Sequence, residues 1–103
     1  MSKTAIIHEL TNILAIALRH RIGSIVNKDA VYAQKYARDA EIFMKEAKKI
    51  ALKENWNTAD KEEISAQLHK KLKNELTKKT FLNEKKFEYI EKEVEKALEE
   101  LKI

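Results

Sequence analysis

Three histidines, His8, His20 and His69, are the side chains best suited to proton or metal chemistry near neutral pH. Their surroundings exclude the common metal patterns. A zinc-binding helix needs His-Glu-x-x-His, and His8-Glu9 lacks the second histidine. A carboxylate-bridged di-iron bundle needs Glu-x-x-His pairs on two helices, and the chain contains none. With no cysteine, disulfides, thiolate sites and a cysteine nucleophile are also excluded. No metal and no cofactor are therefore expected. The other concentration of reactive groups is cationic. Between His69 and Lys86, Lys70, Lys71, Lys73, Lys78, Lys79, Lys85 and Lys86 face only Glu75 and Glu84. Clustered cations of this kind can neutralise nucleic-acid phosphates without reading sequence. Arginine is absent from the stretch and Phe81 is its only aromatic, which is poor material for stacking on bases. A solvated basic face is the plainer reading.

The stretch His8-Glu9-Leu10-Thr11-Asn12-Ile13-Leu14 resembles the phosphoacceptor box of sensor histidine kinases. The dimerisation domain of that family is a helical hairpin that pairs into a four-helix bundle. The resemblance implies that His8 accepts a phosphoryl group, that Glu9 assists proton transfer and that Asn12 stands one turn on. It covers seven of 103 residues. One glycine leaves no material for that family's glycine-rich ATP-binding domain, so the chain would be a phosphoacceptor served by another protein. The competing reading is a partly buried histidine on a core helix, its polar strip (His8, Thr11, Asn12, Arg19) forming a seam against another helix.

Whatever these groups do, helices must position them. A chain of 103 residues suits one domain, taken as 1–103, and 44% hydrophobic residues argue against disorder despite 37% charge. One glycine, no proline and abundant Lys and Glu point to an all-α fold. The longest apolar run, Ile13 to Leu18, is far short of the ~20 residues of a membrane span. No membrane partner is expected, and the location is read as cytoplasmic. Lysine and glutamate richness with two glutamines gives a thermophile-like composition.

The spacing predicts helices near 3–21, 29–54, 59–78 and 83–102, packed as an antiparallel four-helix bundle or as helical hairpins. The first helix ends at Gly23 as a C-cap, or else continues to Val26 with a turn at Asn27-Lys28. Its apolar circumference exceeds the usual ~100° stripe, so it is the central helix of a bundle or part of a subunit interface. Arg21 is expected in a solvated last turn. The second helix carries Ala30, Ala33, Ala37, Ala40, Ala47 and Ala51 on one side, a small-residue seam that permits close helix approach. Thr58 or Asp60 caps the third helix, whose Ile64, Leu68, Leu72 and Leu76 form a narrow stripe. Asn83 caps the fourth, with Leu82 and Phe87 as a hydrophobic staple. Ala33, Ala40 and Ala47, with Ile90, Val94 and Leu101 of the fourth helix, form the expected interaction seam. By elimination, the chain is expected to be a non-enzymatic helical protein that self-associates, most simply as a homodimer, or joins a larger assembly with a protein partner. Sequence-independent nucleic-acid binding through residues 69–86 and phosphoryl acceptance at His8 are the alternatives.

Overall fold

The computed structural model describes residues 2–103. α-Helices span Lys3–Val26 (α1), Ala33–Ala51 (α2), Thr58–Lys78 (α3) and Ile90–Glu100 (α4), and a 3-10 segment, Glu84–Tyr89, leads into α4. No strand occurs among the described residues. The four helices pack together with α1 in the middle, while the backbone of α2 approaches that of α1 alone. The result is elongated, 40 × 21 × 20 Å.

The central place of α1 follows from its composition. Ile6, Ile7, Leu10, Leu14, Ala15, Ala17, Leu18 and Ile22 radiate around most of the helix, and all are buried within one chain. The surplus apolar surface that suggested a subunit interface is thus covered internally. Leu10, Leu14, Leu18 and Ile22 meet Ile64, Leu68, Leu72 and Leu76 of α3 and Val94 of α4 in the same core, all of them completely buried. The narrow stripe of α3 is fully used.

Gly23 does not end the first helix, which continues beyond the expected residue 21 to Val26, so the alternative turn at Asn27-Lys28 is the one observed. The glycine has no positive φ. It serves by lacking a side chain: a Cβ there would lie 2.9 Å from Cδ2 and 3.2 Å from Cε2 of the Tyr36 ring. Arg21 is accordingly not in a last turn. Its guanidinium lies 3.4 Å from both Glu41 and Glu100, tying α1 to α2 and α4.

The second helix is shorter than the expected 29–54, because Asn27 to Tyr32 form a turn and the helix closes at Ala51. There the Trp56 indole N–H donates to the Ala51 carbonyl at 3.0 Å, satisfying an end group the helix cannot. Ala33, Ala40, Ala47 and Ala51 are buried, but Ala37 is exposed and Ala30 lies in the turn. A helix that packs on one neighbour buries only a narrow stripe, here Ala33, Ala40, Met44, Ala47, Ile50 and Ala51.

Neither Thr58 nor Asp60 is the N-cap of α3. Asn57 is, in a reciprocal box: its side chain accepts from the Asp60 N–H at 2.8 Å, and the Asp60 carboxylate accepts from the Asn57 N–H at 3.1 Å. Lys3 of α1 adds an ion pair to Asp60 at 2.7 Å. The Lys3 contact, then the Asn57 N–H, hold this carboxyl below its ordinary value. A carboxyl with a depressed folded-state pKa adds stability above its unfolded value and loses it as pH falls through the folded one. Asp60→Asn should therefore be less stable than the parent at neutral pH, and the gap should close below about pH 4. Urea denaturation at several pH values checks this; a gap independent of pH would contradict it.

The expected helix 83–102 is two elements. Asn83 does cap, accepting from the Lys85 N–H at 2.9 Å, but the chain winds as a 3-10 segment to Tyr89 before α4 begins. The Lys86 side chain turns inward to the Lys79 carbonyl at 2.7 Å, closing the end of α3. Leu82 is buried, whereas Phe87 stays 40% exposed, so the staple is not closed by burial of both members.

Contacts along α1 and α3 rise together: Lys3 with Asp60, Thr11 with Lys71, Arg19 with Glu75 and Asn27 with Phe81. Those along α1 and α2 run in opposite order: Asn27 with Tyr32, Gly23 beside Tyr36 and Arg21 with Glu41. The end of α1, the start of α2 and the end of α3 consequently meet at one pole of the molecule.

Candidate interaction surface

The polar strip of α1 lies along α3. The Lys71 ammonium donates to the Thr11 hydroxyl at 2.6 Å and to the His8 carbonyl at 3.2 Å, and stands 3.3 Å from His8 Nδ1. The buried Thr11 hydroxyl donates in turn to the Ile7 carbonyl at 2.9 Å, with Gln67 Oε1 at 3.2 Å. Partial burial pulls the Lys71 ammonium below the ordinary lysine value. His8 itself is exposed, Glu9 is half-buried and Asn12 is exposed. Asn12 lines an open groove of about 370 Å³ with Ala15, Ile16, Lys71, Asn74 and Lys78.

The other two histidines are occupied by their own helices. His20 Nδ1 is 2.8 Å from the Ile16 carbonyl, and its ring lies between Tyr36 and Phe43, with centroids at 5.1 and 5.4 Å. His69 Nδ1 is 2.8 Å from the Ser65 carbonyl. Among the described residues no group of three or more His, Asp or Glu could hold a metal ion. No helix is long and apolar enough to cross a membrane.

The lysine-rich stretch divides. Lys71 and Lys86 are bound inward, and Lys79 is half-buried, while Lys70, Lys73, Lys78 and Lys85 are exposed. Of the expected interaction seam, Ala33, Ala40, Ala47 and Val94 are buried within the chain, and Ile90 and Leu101 are partly buried against the same core. The signal of small residues at heptad spacing thus marks packing inside this chain.

A different surface stands out at the pole. Among the described residues six large hydrophobic side chains are exposed, and three of them, Ile25, Val31 and Phe81, belong to the end of α1 and to the two connections gathered there. Val31 has a relative exposure of 101%, so it touches nothing that shields it. Phe81 is 53% exposed with its ring edge-on to Tyr32, centroids 5.7 Å apart. Ile25, Asn27, Lys28 and Phe81 line an open concavity of about 440 Å³.

Asn27 holds this pole in shape. Its amide N–H groups donate to the Tyr32 hydroxyl at 2.8 Å and to the Phe81 carbonyl at 3.3 Å, and its Oδ1 accepts from the Asn83 N–H at 2.9 Å. One side chain therefore joins the 27–32 turn to the 79–83 connection. Behind it Tyr32 and Tyr36 stack at 4.7 Å and continue through His20 to Phe43 as an aromatic row between α1 and α2. Sequence reasoning did not find this surface, since its members are far apart in the chain and no local pattern marks them. No local pattern marks Glu93 either: it is buried on α4, and its Oε1 has no hydrogen-bond partner among the described residues.

Nothing matches this chain in comparisons with protein-family models, curated proteins and solved structures.

Proposed function

We propose that this chain is a small non-enzymatic helical protein that acts by association, docking through the apolar and basic pole formed by the 27–32 and 79–83 connections. Its scaffold in this reading is the antiparallel α1–α2 hairpin, with α3 and α4 laid against α1. The observation that carries the reading is the exposure of Val31, Phe81 and Ile25 at the one pole where the end of α1 meets the two connections that Asn27 pins together. Apolar side chains held in fixed positions outside the core contribute little to folding, and a rigid exposed apolar patch is the usual mark of an interaction site. The core of α1 is closed within one chain, and the pole gathers three of the exposed large hydrophobic side chains among the described residues, the others being Ile42, Leu52 and Phe87.

The reading has a direct test. Val31→Ser and Phe81→Ser should each leave the unfolding free energy within about 1 kcal/mol of the parent, because neither side chain is substantially buried. Thermal or urea denaturation measures it. A loss of about 2 kcal/mol or more, as for a core deletion, would show that the pole serves folding and end the docking proposal.

A further inference from the structure

Resting on that docking reading, we propose that the occupant of the pole is an anionic phospholipid surface, on which the molecule stands end-on. The apolar part of the pole is Ile25, Val31 and Phe81. The charged part is Lys28, Lys78, Lys79 and Lys85, opposed by Asp29 and Glu84, so the pole carries a positive excess. Lys86, from the same stretch, is turned inward on the Lys79 carbonyl and does not count. Lys78 also stands 3.7 Å from Glu75, an exposed i,i+3 pair that leaves its ammonium at the surface.

Each alternative occupant fails to use one half of this surface. In a two-fold dimer a second copy would set one positively charged pole against another, an arrangement that like net charge disfavours. A nucleic acid would take the lysines, but it offers nothing to Ile25 and Val31, and the exposed phenyl rings among the described residues, Phe81 and Phe87, are too few for a stacking platform. An anionic bilayer takes both. Its acyl boundary accepts short apolar side chains carried on loops, and its headgroups attract the surrounding ammonium groups. Val31, bare on all sides, needs an environment that surrounds it, and a fluid interface does so without a preformed pocket. Attachment of this kind needs no spanning helix. The Asn27 hydrogen bonds tie the two connections to each other, so Val31 and Phe81 are carried at the same pole.

Co-sedimentation of the full chain with vesicles of phosphatidylcholine alone and of phosphatidylcholine rich in phosphatidylserine tests the proposal. Binding is expected to the phosphatidylserine vesicles only and to weaken as salt rises. Lys28→Gln and Lys85→Gln should each weaken it about fivefold. Val31→Ser with Phe81→Ser should weaken it at least about tenfold while Lys70→Gln with Lys73→Gln, away from the pole, should change it little. No binding to anionic vesicles, or binding indifferent to Val31 and Phe81, overturns the proposal. So does a dimer in light scattering, or duplex binding, that disappears with Val31→Ser. If the serine variants keep parental stability and no vesicle binds, the lipid surface is wrong and docking at the pole survives. If the serine variants unfold early, the docking reading itself has failed.

Discussion

Leu14→Ala is expected to cost about 2–5 kcal/mol of stability, the range for truncating a completely buried leucine. Leu14 is completely buried in the middle of α1, in the one core that α1, α3 and α4 share. Truncation there removes the transfer free energy of the lost methyl groups and leaves a cavity lined by a helix that cannot move toward any neighbour without leaving another. A domain of this size has roughly 5–15 kcal/mol in total, so the loss is a large share of it. Urea denaturation should show the midpoint falling with the slope unchanged. A change of less than about 1 kcal/mol would mean that α1 is not the centre of the core.

The second large effect is overpacking on α2. Ala40 is 1% exposed, and Ala40→Leu should cost about 1–3 kcal/mol by forcing α2 away from α1. The control lies one turn earlier on the same helix. Ala37 is exposed, and Ala37→Leu should change stability by no more than about 0.5 kcal/mol. Thermal denaturation of the pair separates a buried seam from a general intolerance of bulk. Equal effects at both positions would contradict the packing of α2 on a single neighbour.

These two positions also show what could be read in advance. The helical periods of α2 and α3 stand in the sequence because each of these helices has a distinct apolar side, and a period of 3.6 survives without knowledge of the partner. The central place of α1 was legible from the width of its apolar face. The strip of His8, Thr11, Asn12 and Arg19 was legible only as either an outward face or a seam; Thr11 is buried along α3 while His8 and Asn12 are exposed. Gly23 was ambiguous because one residue type serves both helix ends and close approaches, and only Tyr36, thirteen residues on, decides between them. The 3-10 winding at Glu84–Tyr89 has no apolar period of its own to announce it. Lys71 and Lys86 read as surface charge because nothing local shows that a carbonyl awaits them. The pole was invisible for a related reason: Ile25, Val31 and Phe81 each look like ordinary core residues until the fold places them outside it.

The Asn27 side chain also makes the pole a late product of folding. Its bonds to Phe81 and Asn83 join residues 54 and 56 positions apart, whereas the α1–α2 turn needs only local closure. Contacts this distant in sequence form after nearby ones, since a long loop must close before they contribute anything. A nascent chain that has completed α2 carries Ile25 and Val31 but has neither Phe81 nor Asn83 to set their spacing. The complete surface therefore exists only on finished molecules, and amide exchange at Asn83 should report the same opening event that dissolves it.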